Sequence, residues 1–147
     1  MRTLCIYMND QTTQATPSRA DIERLVDGFY TAVRADALLG PVFERHLHGR
    51  WHTHLPRMVE FWCTVLLKTH SYRGDVYSAH MGIDGIAEAH VQRWLELWHE
   101  HTGAAFDADA AWRLQATAQG IARTLRIGWF GREAAGVRVL EHAQAHG

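Results

Sequence analysis

The sequence predicts an all-α fold. Apolar residues recur at three- and four-residue intervals in several long segments, and no run alternates apolar with polar as a half-buried strand would. There is no internal repeat and no low-complexity block. Helices packed ridge-into-groove around one core are the expected architecture.

Each element has its own signal. Thr16-Pro17 reads as an N-cap followed by Pro at the first helical position, opening a helix that runs to about Arg34. Ile22, Leu25, Val26, Phe29 and Val33 form its apolar stripe. Gly40-Pro41 breaks the chain, and Val42-Phe43 open a short helical turn. Gly49 precedes a second strong helix, roughly Trp51 to Thr69, with Trp51, His54/Leu55, Met58, Phe61/Trp62 and Val65/Leu66 facing inward. Pro56 fits only a first turn, so the regular helix is expected to begin near Thr53. Tyr72-Arg73-Gly74 signals a turn, and Asp75 can cap a short helix ending near Met81. Gly82 and Gly85 then punctuate the chain. A third strong helix covers about Ile86 to His101, with Val91, Trp94, Leu95 and Trp98 as its stripe and Gly103 as its stop. A fourth starts at Asp107 or Asp109 and runs to about Ile127, burying Leu114, Ala118, Ile121, Ala122 and Leu125.

Composition narrows the class. At 147 residues the chain has the length of one domain. Residues 1–16 read as a leader, 17–130 as the domain and 131–147 as a tail of unassigned role. A formal charge of −1 with no basic run excludes a protein that wraps nucleic acid. The longest apolar stretch, Val59 to Leu67, contains Glu60 and falls far short of the roughly 20 residues of a bilayer span, so no membrane partner is expected. The N-terminal apolar patch is too short for a signal peptide and is interrupted by Asp10. Cys5 and Cys63 are lone thiols without CxxC spacing, and a reducing, cytoplasmic setting follows as the expectation.

Six Trp and eleven His are the unusual counts, and they direct attention to a metal or cofactor held among flat apolar walls. His80 ends a short helical element just ahead of a long helix, and Gly82 leaves room beside it. A neutral imidazole in such a place can hold a haem iron, although a surface loop histidine is the ordinary alternative. His54 projects with Met58 and Phe61 from one helix face, where an imidazole needs a partner. Tyr30 and Trp94 can each donate a hydrogen bond to a partly negative diatomic ligand. A rim tyrosine and a core tryptophan are the plainer readings of the same two residues.

Taken in order, Phe29-Tyr30, Gly40-Pro41-Val42-Phe43, Trp51-x-x-His54, Phe61-Trp62, Tyr72-x-Gly74, His80 and Arg93-Trp94-Leu95-x-Leu97 resemble the truncated haemoglobins, most of all the bacterial third group. The likeness covers about residues 20–130. It implies a globin-like, two-over-two helical sandwich around haem b. It implies His80 as the proximal iron ligand, His54 as the distal histidine, and Tyr30 and Trp94 as donors to bound ligand. Phe29, Phe43, Met58, Phe61 and Trp62 become pocket walls, and Arg57 the partner of a haem propionate. The family often shows a Leu-Pro step after the proximal histidine. Here Met81-Gly82-Ile83-Asp84-Gly85 follows, so the short proximal element is expected to be looser.

Two or three donors around one small ligand slow its escape. Two charge-assisted bonds of about 1.5–3 kcal/mol each tighten binding by roughly a hundredfold or more. Such a pocket suits redox chemistry better than oxygen transport. The expected ligands are dioxygen, nitric oxide or peroxide, and the expected chemistry is nitric oxide dioxygenation or peroxide reduction. No flavin or nicotinamide fingerprint is present, so electrons would come from a separate reductase. A non-enzymatic oxygen or nitric oxide sensor or store is the first rival. A non-haem metal protein is the second, either di-iron through Glu96-Leu97-Trp98-His99 or a site built from His46, His48, His52 and His54. The di-iron version lacks a second Glu-x-x-His.

Overall fold

The structure, a computed structural model, describes residues 16–131. The expected leader and tail fall almost wholly outside these residues. The described chain forms six helices: α1 (Arg19–Ala35), α2 (Leu39–Leu47), α3 (Trp51–Leu67), α4 (Val76–Met81), α5 (Glu88–Ala105) and α6 (Ala108–Phe130). No strand occurs among the described residues. α1 packs beside α3 and α5 beside α6, and the two pairs face each other through α1 on α5 and α3 on α6. This is the two-over-two arrangement. α2 lies against α1 and α5, while α4 lies on α6.

The α1 stripe is buried as periodicity predicts: Ile22, Phe29 and Val33 are sealed from solvent, with Leu25, Val26 and Tyr30 beside them. Trp98 and Leu114 meet them from α5 and α6, and the Trp98 indole donates to the Leu114 carbonyl at 3.1 Å. That bond ties the second pair of helices together. The buried Thr102 hydroxyl donates back to the Trp98 carbonyl at 2.7 Å, so it adds no unsatisfied polar group to the core. Alanines at 110, 111, 118 and 122 are buried on α6, and their small side chains let neighbouring helices approach closely.

Several expected boundaries shift, each for a local reason. Ser18 caps α1, not Thr16. The Asp21 amide donates to Ser18 Oγ at 3.2 Å, and the Ser18 amide donates to Asp21 Oδ2 at 2.8 Å. This reciprocal capping box satisfies two groups at once, which Thr16 before Pro17 does not. Gly40-Pro41 does not break the chain but lies in the first turn of α2. The proline there lacks only an amide that would have no helical acceptor. Asp36 Oδ2 accepts from the amides of Leu38 and Leu39 at 3.1 and 3.0 Å and so starts that helix.

α3 begins at Trp51 rather than near Thr53, which places Pro56 in the second turn. The missing amide leaves the His52 carbonyl free, and both residues are exposed, so water can take that carbonyl. α3 ends at Leu67, two residues earlier than expected, with Lys68 in the left-handed conformation as its cap. Asp75 caps α4, its carboxylate accepting from the Ser78 amide at 3.3 Å, as the sequence predicts. α5 starts two residues late, where His90 Nδ1 accepts from the Ala87 amide at 2.9 Å, and it runs through Gly103 to Ala105. Asp107 caps α6, which continues three residues past Ile127 to Phe130.

The inner face of α3 also differs from expectation. Trp51, Val59, Trp62, Cys63 and Leu66 are buried, whereas His54, Leu55, Met58, Phe61 and Val65 are only half-covered. The core takes one edge of the apolar face. The other edge is left as a half-covered stripe running from His54 through Met58 and Phe61.

Candidate functional site

His54, Tyr30 and Trp51 form one aromatic corner. The Tyr30 ring meets the His54 ring edge-on, with centroids 5.3 Å apart and planes at 89°. It also touches Trp51 at 5.9 Å and Phe43 at 6.1 Å. Phe43 stacks on Trp51 at 6.4 Å, and Arg34 covers the Trp51 ring at 4.5 Å. The Trp51 indole donates to Glu44 Oε2 at 3.0 Å. This end of α3 is therefore held by α1 and α2 together.

His54 Nε2 is buried and has no hydrogen-bond partner among the described residues. Such an atom is costly unless something meets it. Burial first, and then positive charge at His80, Arg57 and Arg50 in that order, lower the pKa of His54 to about 4. The imidazole is neutral at pH 7. Burial alone raises the pKa of Tyr30, so its phenol stays protonated and able to donate.

His80 occupies the last turn of α4 and is half-buried. Its Nδ1 lies 2.6 Å from the Val76 carbonyl, one turn earlier. A carbonyl can only accept, so Nδ1 carries a proton, and in the neutral ring Nε2 keeps a free lone pair. An imidazole with its second nitrogen held by a backbone carbonyl is oriented and made more basic for metal binding. Trp129 completes this side: its ring lies 6.2 Å from that of His80, and its indole donates to the His80 carbonyl at 3.2 Å.

Trp94 is half-buried on α5, edge-on to Phe29 at 5.9 Å and parallel to Trp98 at 6.1 Å. The indole N–H groups of Trp51, Trp98 and Trp129 each have a protein acceptor, and that of Trp94 is not among them. Phe29 and Trp62 lie one layer deeper than the other expected walls. Phe29 is sealed, meeting Trp98 edge-on at 4.9 Å, and Trp62 stacks on Trp98 at 4.3 Å. Phe43, Met58 and Phe61 are the half-covered ones, and Arg57 is exposed.

Val76 and Trp129 were not singled out from the sequence. Val76 was legible, because a helical histidine faces the carbonyl four residues before it. Trp129 carried no local signal, lying past the expected end of α6.

His46 and His48 point elsewhere. His46 Nε2 reaches the Asp84 carbonyl at 3.3 Å, and His48 Nδ1 reaches Glu44 Oε1 at 3.3 Å. Among the described residues no group of three His, Cys, Asp or Glu side chains is placed to share a metal ion. A cavity of about 290 Å³ opens between α1 and α3, lined by Arg19, Asp27, Leu55 and Val59 among others. None of the expected site residues lines it, and it is an open surface groove. Among the described residues no helix is long and apolar enough to cross a membrane.

The two-over-two helical core is like that of a truncated globin. The chain superposes on the crystal structure of the group III truncated hemoglobin from Campylobacter jejuni with a TM-score of 0.70 and 25% identity, over 76% of this chain and 91% of that one. It is 26% identical over 97 residues to the group 3 truncated hemoglobin ctb of Campylobacter jejuni, covering 64% of this chain and 76% of that protein. No protein-family model matches the chain. In fold and in sequence alike, this protein is similar to the group 3 truncated haemoglobins.

Proposed function

We propose that the protein holds haem b through His80 Nε2 and uses it for redox chemistry on a small gas or peroxide. The observation that carries this reading is the buried, partnerless Nε2 of His54. A polar atom kept dry on an otherwise apolar face fits a ligand that must be met there. The donor set fits as well, since Val76 leaves the His80 lone pair available.

Haem supplies an iron centre that binds diatomic ligands and exchanges electrons. The chain does the rest. Val76 sets the tautomer and orientation of His80. His54 stays neutral at pH 7 and brings no fixed charge to the ligand. Tyr30, protonated throughout the physiological range, donates a hydrogen bond, and Trp94 offers a second through its indole. Phe43, Met58 and Phe61 exclude water with their half-covered apolar faces. Arg57, exposed on α3, supplies positive charge for the haem carboxylates.

Two donors and a neutral histidine retain a ligand too firmly for transport, which favours nitric oxide dioxygenation or peroxide reduction. Electrons would come from a separate reductase. The test has two stages. Purified protein reconstituted with haem is expected to show a strong Soret band that His80→Ala weakens and shifts. The oxygenated protein is then mixed anaerobically with nitric oxide, and nitrate is measured before and after adding cell reductant. Fast, repeated nitrate formation supports turnover. A single stoichiometric burst would favour storage or sensing, and an unchanged spectrum in His80→Ala would remove the haem reading.

A further inference from the structure

We propose that Trp129 is a positioning residue for His80, clamping the end of α4 onto α6 so that the histidine keeps one orientation. The inference rests on His80 as the haem ligand. α4 spans only Val76–Met81 and buries no residue completely. A helix that short has no stability of its own in water, where about 12–15 residues are marginal. Its place is therefore set by what it touches, and α6 is the helix it packs on.

Two contacts make that docking. At Gly128 the helices approach so closely that a Cβ would sit 2.5 Å from Met81 Sδ and 2.8 Å from the Tyr77 ring. One residue on, the Trp129 indole donates to the His80 carbonyl at 3.2 Å, and its ring leans on the imidazole at 6.2 Å. The last carbonyls of a helix lack intrahelical donors. The His80 carbonyl meets this need with the Ile83 amide at 3.0 Å and with Trp129. The Ile83 bond lies within the local turn and moves with α4. The Trp129 bond crosses to another element and ties the ligand residue itself to the core. On the ring side, the Val76 bond sets rotation of the imidazole relative to α4. Trp129 sets where α4 stands.

The test compares Trp129→Phe, which keeps a ring without the donor, with Trp129→Gln, which keeps a donor without the ring. In haem-free protein, hydrogen exchange at the Ala79 and Ile83 amides is expected to quicken in Trp129→Phe, with helix content unchanged by circular dichroism. In the reduced haem-loaded protein, the iron–histidine stretching band is expected to shift and broaden in Trp129→Phe and to move back toward the parent in Trp129→Gln. Haem loss to an acceptor globin should accelerate about three- to tenfold in Trp129→Phe, the latter being about 1.4 kcal/mol. A parent-like band with parent-like α4 exchange in Trp129→Phe overturns the proposal. So does an equal shift in both variants, which would assign the effect to ring volume alone. If Trp129→Phe lost its helix content, the Trp129→Gln band would decide, a parent-like band supporting the clamp and a shifted one overturning it. A parent protein without a Soret band would overturn the haem reading instead, while the exchange comparison would still judge the clamp.

Discussion

The Tyr30 and His54 rings meet at right angles, with centroids 5.3 Å apart, and join α1 to α3 beside an imidazole nitrogen that no described residue satisfies. The phenol and the imidazole are thus held by each other's apolar surfaces, with a dry polar atom left between the helices. Their consequences can be measured separately.

Removing the phenol oxygen isolates the donor. Tyr30→Phe keeps the ring contacts with His54, Trp51 and Phe43 but loses a protonated hydroxyl. A hydrogen bond to a charged acceptor contributes about 1.5–3 kcal/mol, so oxygen release by stopped flow is expected to speed up roughly ten- to hundredfold. An unchanged release rate would take Tyr30 out of the mechanism.

His54 makes the chain sensitive to acid. Its folded pKa of about 4 lies below the ordinary 6.5, from burial first and neighbouring positive charge second. Between these values the unfolded chain binds the extra proton and the folded chain does not, so stability rises with pH across that window. The contribution is complete above about pH 6.5 and is lost progressively as pH falls toward 4. Urea unfolding of haem-free protein at pH 7 and pH 5 is expected to show a larger loss for the parent than for His54→Gln. Equal losses in the two proteins would refute this.

Gly40→Ala tests a close approach. On helix propensity alone the change would stabilise α2 by about 1 kcal/mol. The added Cβ, however, would lie 2.7 Å from the Arg34 carbonyl oxygen, a backbone atom at the end of α1 that cannot swing aside. Overpacking of this kind costs about 1–3 kcal/mol, so the steric term wins and the urea midpoint should fall. A midpoint at or above that of the parent would show that α1 and α2 can separate freely.

Asp36 joins three helices. One carboxylate oxygen accepts from the amides of Leu38 and Leu39, and the other accepts from Arg93 Nε of α5 at 2.8 Å. Asp36→Ala removes a cap worth about 0.5–2 kcal/mol and with it a solvent-screened ion pair that adds little. A loss of about 0.5–2 kcal/mol is expected by chemical denaturation. Arg93→Ala should lose less, since it leaves the cap in place, and an equal loss would show that the ion pair rather than the cap is the main contribution.

Part of the frame around the candidate site is legible in the sequence. The Asp75 cap of the short helix that carries His80, and the apolar stripe of α1 beside which Tyr30 falls, follow from local signals. The depth of the walls does not. Phe29 and Trp62 carry the same apolar signal as Phe61, yet Trp98 covers the first two and leaves Phe61 half-exposed. A hydrophobic residue's period says that it faces inward, not which neighbour meets it.

By itself, then, the order of residues determined the helical class, the stripe of α1, the cap and extent of α4, and the histidines worth watching. These depend on interactions within a few positions along the chain. Only the packed molecule decided that the His54 nitrogen is left alone, and that an indole 49 positions away holds the carbonyl of His80. Each of these arises where separate helices meet, and the geometry of that meeting belongs to the whole core rather than to any stretch of sequence.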